Sequence, residues 1–98
     1  MLEPFFNDLD IRSIIRIKIN LNPRTEKVIE HGFHIDNETD STTSILYLNS
    51  NDGYTKFEDG KKIQSVSNRL IKFPTSMFHT GTTCTNSPGR VVINFNYF

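Results

Sequence analysis

The sequence has a single cysteine and no long apolar segment, and both features limit the classes of protein it can belong to. Because Cys84 is alone among 98 residues, an internal disulfide and a zinc site built on paired cysteines are excluded. One thiol suits a reducing compartment, and the N-terminal residues carry acids where a secretory signal needs basic ones. No apolar run approaches the roughly 18 residues of a membrane-spanning helix. We therefore expect a cytoplasmic protein.

An excess of charge of either sign is also missing, since eleven basic and eleven acidic residues cancel. A neutral surface gives no bulk attraction to nucleic acid or to an anionic membrane. The length predicts one small domain, residues 1–98, which buries roughly 60% of the surface of its unfolded chain. Within it, residues 1–12 are expected to form a short helix or arm, because one helical face there is apolar. That face consists of Leu2, Phe5, Phe6 and Leu9.

The sequence does contain many short segments of strand-forming residues, separated by turns rich in Gly, Pro, Asn and Asp. Two of them, Ile14 to Leu21 and Arg90 to Phe98, alternate cleanly between apolar and polar residues. Asn22 and Pro23 are expected to end the first one. Weaker segments are predicted at 44–48, 54–57, 62–65, 69–73 and 79–85. About seven short strands predict an all-β sandwich or jelly roll.

The last segment has one polar and one apolar face, and so does the first. Its polar face carries Arg90, Val92, Asn94 and Asn96, whereas its apolar face carries Val91, Ile93, Phe95 and Tyr97. The polar faces can be solvated, as in an ordinary half-buried sheet. Alternatively they can line a polar cavity inside a barrel. In that case the apolar faces need a cover outside the barrel, and the apolar stripe of residues 1–12 is the candidate.

A possible metal site begins at His34 and Asp36, which are two residues apart in a segment with strand character. Side chains at that spacing leave the same face and can bind one ion. Together with His79 they supply two imidazoles and one carboxylate, which suit Fe(II) and leave open coordination positions. Arg90, with its bidentate fork of donors, suits a carboxylate of a bound acid.

The order and spacing of these residues resemble the Fe(II)- and 2-oxoglutarate-dependent oxygenase superfamily. The likeness is greatest to its prolyl-4-hydroxylase-like branch and to the small oxygenases often found in phages, and it covers most of the chain from Arg16 onward. The matching segments are His34-x-Asp36, 44–49 (SILYLN), 53–57 (GYTKF), 68–74 (NRLIKFP), His79-Thr80-Gly81 and 90–94 (RVVIN).

The resemblance implies a double-stranded β-helix, cupin-like, that binds Fe(II) through His34, Asp36 and His79. It implies 2-oxoglutarate as cosubstrate, held by Arg90 and Tyr47, with dioxygen as the oxidant. Asn94 lies where relatives often keep a small polar residue near the cosubstrate. Asn22 departs from the tyrosine that this branch commonly has before the proline, so one expected hydrogen bond is lost or made by Asn22 itself.

The implied reaction is hydroxylation of an amino-acid side chain or a small molecule, with decarboxylation of 2-oxoglutarate to succinate. A retained Asp36 favours hydroxylation, because halogenating relatives lack this carboxylate. One alternative is a non-catalytic cupin-like module that binds a metal or a small acid, or a truncated inactive relative. Nucleic-acid demethylation is a weaker alternative, because the chain has few clustered basic residues. His31 is expected to be a loop or supporting residue, and Cys84 a small buried one.

The length is the main departure from the family, whose members usually carry about a hundred more N-terminal residues that cover the larger sheet. We therefore expect either a fragment of a longer protein or a minimal domain. In either case the apolar sheet face should be incompletely covered and should promote self-association. That face is formed by Ile15, Ile17, Ile19, Val91, Ile93 and Phe95.

Overall fold

A computed structural model describes residues 14–35 and 40–98 as seven strands, with no helix in those ranges. The helix or arm predicted for residues 1–12 and the predicted ligand Asp36 lie outside the described residues. Within the described ranges, nothing helical is long and apolar enough to cross a membrane. The strands are β1 Ile14–Pro23, β2 Thr42–Tyr47, β3 Tyr54–Phe57, β4 Lys62–Gln64, β5 Leu70–Pro74, β6 His79–Thr80 and β7 Gly89–Tyr97.

The strands form two antiparallel sheets. The larger has the order β1-β7-β2-β5 and the smaller the order β4-β3-β6. Strands that are neighbours in a sheet are mostly distant in sequence, which is the arrangement of a double-stranded β-helix. The predicted fold class is therefore confirmed.

Two sequence predictions about strand boundaries are wrong. β1 continues through Pro23, which pairs with Gly89. β1 is the edge strand of the described sheet, so no neighbouring strand accepts hydrogen bonds on its outer side. A proline, which has no N–H to donate, is therefore tolerated there. The stretch predicted as strand around His34 forms only isolated bridges, from Glu30 to Thr82 and from His34 to His79.

The register of β1 on β7 shows where their polar faces point. Asn22 lies opposite Arg90, and Lys18 lies opposite Asn94. Arg90 is only 2% exposed, so the polar face of β7 is not a solvated surface at this end. Of the two alternatives left open by the sequence, the described structure has the polar cavity.

An apolar cluster holds the two sheets together beside this cavity. Its buried members are Ile45, Tyr47, Phe73 and Val92, and the partly buried Phe57, Ile63 and Ile71 pack against them. Full burial of one such side chain stabilises a fold by roughly 1.5–3 kcal/mol, so these few residues contribute a large part of the stability of a small domain. Phe57 from the smaller sheet meets Phe73 from the larger one edge to face, with ring centroids 5.0 Å apart.

Candidate metal centre and anion pocket

His34 and His79 are far apart in sequence, and backbone pairing brings them together. The N–H of His34 donates to the carbonyl of His79 at 2.9 Å, and the N–H of His79 donates back at 3.0 Å. Residues that exchange both hydrogen bonds in an antiparallel bridge lie directly opposite, with side chains on the same face. The two imidazole centroids are accordingly 4.5 Å apart.

The contacts of the two rings favour metal binding through a defined nitrogen. His79 Nδ1 lies 3.0 Å from the carbonyl oxygen of Met77, and His34 Nδ1 lies 3.3 Å from that of Gly32. A ring that donates its Nδ1 proton to a carbonyl carries its lone pair on Nε2, the atom that then coordinates a metal. Two imidazoles with this arrangement on one face fit a divalent transition metal.

The third member of the predicted ligand set, Asp36, is two residues beyond His34 but outside the described ranges. Among residues 14–35 and 40–98, no cluster of three His, Cys, Asp or Glu side chains could hold a metal ion. The described part therefore supplies two ligands of the predicted set.

Arg90 is a buried cation whose hydrogen bonds all go to neutral groups. Its Nε donates to Ser65 Oγ at 2.9 Å, its Nη2 to Thr55 Oγ1 at 3.2 Å, and its Nη1 to the Thr82 carbonyl at 3.5 Å. No carboxylate in the described part of the chain forms an ion pair with it. Burial lowers the pKa of Arg90, but an arginine stays protonated in proteins. A buried charge without a counterion is costly, so this position favours an anionic ligand.

Two glycines make room for this guanidinium. A Cβ on Gly53 would lie 2.6 Å from Arg90 Cδ, and a Cβ on Gly81 would lie 3.3 Å from Arg90 Nη1. Gly81 follows His79 by two residues, so the same short segment provides a metal ligand and the space for the arginine.

Tyr47 lies beside Arg90, as expected from the resemblance, and the guanidinium stacks over its ring. The guanidinium carbon lies 5.5 Å from the tyrosine ring centroid, and Tyr47 Oη is 2.6 Å from Thr55 Oγ1. Burial raises the pKa of Tyr47, which keeps its hydroxyl neutral. Thr55 therefore links Tyr47 to Arg90, while Tyr47 itself does not line the cavity.

His34, His79 and Arg90 open on one cavity of about 240 Å³. Asn22 and Asn94, the two further residues predicted near the cosubstrate, also line it. Asn94 Oδ1 is buried and has no hydrogen-bond partner. The described lining residues include no aspartate or glutamate, so this part of the lining is basic. They are Lys18, Asn20, Asn22, His31, His34, Ile45, Thr55, His79, Gly81, Arg90, Val92 and Asn94.

Several residues of this site were not assigned a role from the sequence. Lys18 and Asn20 line the cavity, and the alternation of β1 was the signal that could have found them. His31, expected to be a loop or supporting residue, lines the cavity as well. Thr55 and Ser65 hold Arg90 from distant segments, and no local pattern marks them.

A second, larger cavity of about 800 Å³ is lined by residues of β3, β4 and β5 and of the turns beside them. Its lining includes Ile63, Ile71 and Phe73, together with Glu58 and Lys61. The ring of Phe73 is 4.8 Å from that of His79, which lines the smaller cavity.

Comparison with known proteins supports the fold. No family model matches the chain, and no curated protein matches its sequence. Three solved structures are similar over most of it. A cupin protein from Bacteroides fragilis is 12% identical with a TM-score of 0.66, over 94% of this chain and 71% of that one. An RmlC-like cupin from Desulfovibrio desulfuricans is 17% identical with a TM-score of 0.53, over 82% and 81%.

The third is Fe(II) HppE in complex with its substrate, 9% identical with a TM-score of 0.59, over 89% of this chain and 52% of HppE. At these identities the likeness shows the fold alone. The chain therefore has the cupin-type double-stranded β-helix.

Proposed function

We propose that this protein is an Fe(II)- and 2-oxoglutarate-dependent dioxygenase that hydroxylates an amino-acid side chain or a small molecule. The observation that carries the proposal is the buried Arg90, without a described counterion, on the same cavity as the His34–His79 pair. A diacid such as 2-oxoglutarate can chelate a metal held by the two imidazoles. Its other carboxylate can then bind the cation, Arg90, in the same small cavity. The similarity to HppE, whose structure contains Fe(II), adds that this fold accommodates iron.

In the proposed site, His34 and His79 would hold Fe(II), with Asp36 as the third predicted ligand. The bound iron would supply oxygen activation, and 2-oxoglutarate would supply the electrons through its decarboxylation to succinate. The residues fix the geometry: each imidazole is oriented by a carbonyl at its Nδ1, which sets the direction of its Nε2 lone pair.

Arg90 binds the carboxylate of 2-oxoglutarate that is remote from the metal. Its Nε is already engaged by Ser65, which leaves the terminal nitrogens directed toward Thr55, the Thr82 carbonyl and the cavity. Tyr47 contributes through Thr55, whose hydroxyl bridges the tyrosine and the guanidinium. Asn22, opposite Arg90 on β1, is close enough in the sheet to replace the tyrosine that the prolyl-hydroxylase-like branch commonly has.

Calorimetric titration of 2-oxoglutarate into the chain loaded with Zn(II), a redox-inactive substitute for Fe(II), tests this assignment. Arg90→Gln should weaken binding about a hundredfold, because a charge-assisted pair in a buried site is lost. Arg90→Lys should weaken it at least about tenfold, since lysine keeps the charge without the fork. Arg69→Gln is the matched control, because Arg69 is exposed and bonds only a backbone carbonyl.

Equal affinity in wild type and Arg90→Gln would contradict the role of Arg90. The alternative is a module that binds a metal and a small acid without turnover. An assay with Fe(II), oxygen and candidate substrates distinguishes this module from an oxygenase. Formation of succinate supports the oxygenase, whereas tight binding without succinate supports the non-catalytic module.

A further inference from the structure

The geometry points to a second anion-binding element, Lys18 with Asn94, which selects a primary substrate that carries an oxyanion group such as a carboxylate or a phosphate. This inference rests on the proposed function in one respect, since it takes Arg90 to be occupied by 2-oxoglutarate. It goes further by assigning a chemical class to the substrate.

Lys18 and Asn94 lie at a different position in the cavity from Arg90. They are directly opposite each other on β1 and β7, and both line the cavity. Asn94 is four residues along β7 from Arg90, which corresponds to about 13 Å between their Cα atoms. The carboxylate that Arg90 holds is therefore distant from this pair, and the pair can bind a second ligand beside the metal.

The sheet register puts the pair at the metal end of the cavity. Across the larger sheet, Asn94 pairs with Ile45, which pairs with Ile71. Phe73, two residues from Ile71 on β5, is the residue whose ring contacts His79. A ligand held by Lys18 and Asn94 therefore lies near the histidine pair, where a substrate must be for its bond to react.

The amide oxygen of Asn94 has no hydrogen-bond partner among the described residues. This oxygen is buried, and nearly all buried polar atoms in proteins have a partner. A ligand that donates to this oxygen satisfies the amide, and rotating the amide by half a turn presents its NH₂ to an oxyanion instead. Either way, the ligand at this position is polar.

The charge of Lys18 indicates the sign of the charge that the ligand carries. Lys18 brings a cation, no described carboxylate forms an ion pair with it, and no described lining residue is acidic. A cationic substrate group at this position would be repelled by Lys18. An oxyanion is attracted by Lys18 and hydrogen-bonded by it.

The test uses the full chain with Zn(II) and saturating 2-oxoglutarate, and inorganic phosphate and propionate as fragment probes. Binding is followed by NMR through the side-chain amide signals of Asn94, with neutral propionamide as the matched probe. Both anions should shift these signals in wild type at lower concentration than propionamide does, because the neutral probe cannot pair with Lys18. Lys18→Gln should weaken both anions about tenfold, whereas Arg16→Gln, which removes a cation from the same face of β1 outside the cavity lining, should leave them unchanged.

The inference is overturned if neither anion shifts the Asn94 signals, if propionamide shifts them equally, or if Lys18→Gln binds the anions as wild type does. Calorimetry with 2-oxoglutarate on the same samples distinguishes a failure of this inference from a failure of the proposed function. If 2-oxoglutarate binds through Arg90 but the anions do not depend on Lys18, the proposed function stands and the inference fails. If the anions depend on Lys18 but 2-oxoglutarate does not bind, the inference stands alone.

Discussion

At the scale of single residues, the proposed chemistry depends on one buried guanidinium and on the small side chains around it. Arg90 is held by hydroxyl groups of Thr55 and Ser65 and fits against two positions that have no side chain, Gly53 and Gly81. The same surroundings that leave the charge uncompensated leave it able to bind a diacid.

The two glycines should respond differently to a methyl group. Gly81→Ala places its Cβ near Arg90 Nη1 at 3.3 Å, a contact that the end of a side chain can relieve by a small shift. We expect 2-oxoglutarate affinity to fall several-fold, about 1 kcal/mol, with little change in thermal stability. Calorimetry with 2-oxoglutarate and thermal unfolding measure the two effects.

Gly53→Ala is the informative counterpart, because its Cβ would meet Arg90 Cδ at 2.6 Å and the Thr83 carbonyl oxygen at 2.7 Å. The carbonyl belongs to the backbone and cannot move freely, so this variant should lose about 1–3 kcal/mol of stability. If both variants were as stable as wild type and bound 2-oxoglutarate equally well, the close packing around Arg90 would be wrong.

The residues of the candidate site differ in how well the sequence alone indicates them. His34, His79 and Arg90, which line one cavity, could be proposed from the sequence because a metal and an acid require particular side chains at compatible spacings. Thr55 and Ser65 were not, because their contacts with Arg90 span 35 and 25 residues and a hydroxyl on a strand carries no local signal.

At the scale of elements, the segment from Arg24 to His34 has little regular structure and yet delivers a predicted metal ligand. It runs beside residues 79–88 and is tied to them by backbone bonds such as Thr25 to Cys84 and His31 to Gly81. Strand propensity predicted a regular strand around His34, but the backbone pairs with residues 79–82 only at isolated bridges. Where such pairing is interrupted depends on tertiary contacts, which a single sequence does not show.

A carboxylate joins two turns near this segment. Asp52 Oδ1 accepts from the Thr85 N–H at 2.7 Å, Asp52 Oδ2 accepts from the Thr85 hydroxyl, and the Asp52 N–H donates to Asn86 Oδ1 at 3.0 Å. The Thr85 hydrogen bonds hold the pKa of Asp52 below its usual range. The turn that precedes Arg90 is thereby fixed to the turn that precedes β3.

Asp52→Asn should lower stability by about 1 kcal/mol at neutral pH, because the charged acceptor is replaced by a neutral amide. A depressed pKa in the folded state stabilises the protein above the ordinary aspartate pKa of about 3.9, and this contribution disappears as the pH falls through the lower folded value. The free energies of unfolding of wild type and variant, measured with urea, should therefore differ at pH 7 and become equal at about pH 2. Exposed Asp40→Asn is the control, and a difference that persists at low pH would refute the role of the charge.

At the scale of the whole molecule, the outer face of the larger sheet is exposed along its edge. Ile17, Ile19 and Leu21 on β1 are 40%, 67% and 64% exposed, whereas Ile93 and Phe95 on β7 are buried at 8% and 1%. The sequence predicted that the apolar face of the larger sheet is incompletely covered. This face is exposed at β1, whereas its β7 side chains are buried. An exposed apolar row on an edge strand favours pairing with another strand.

We propose that this row mediates association with a second copy of the chain. The double variant Ile19→Lys, Leu21→Lys should shift the protein toward monomer in sedimentation velocity, because charge on an edge strand opposes pairing. Val66→Lys, at an exposed apolar position between β4 and β5, is the control and should leave the association unchanged. Monomeric wild type at the same concentrations would refute the proposal.

The fold was predictable at this scale because alternation along β1 and β7 separates an inner polar face from an outer apolar one. The proposed oxyanion class of the substrate was not predictable, because Lys18 and Asn94 come side by side only when β1 pairs with β7. Pairing between the first and last strands is a long-range property that neither segment encodes alone.

The central claim is that one cavity binds a divalent iron through the histidines and 2-oxoglutarate through Arg90. Anaerobic addition of Fe(II) and 2-oxoglutarate, followed by visible absorption, tests it most directly, since a weak charge-transfer band arises only when the acid chelates the iron. We predict the band in wild type, its loss in His79→Ala, and a much higher 2-oxoglutarate requirement in Arg90→Ala. A wild-type chain that gives no band, or a band that survives unchanged in His79→Ala, would contradict the account.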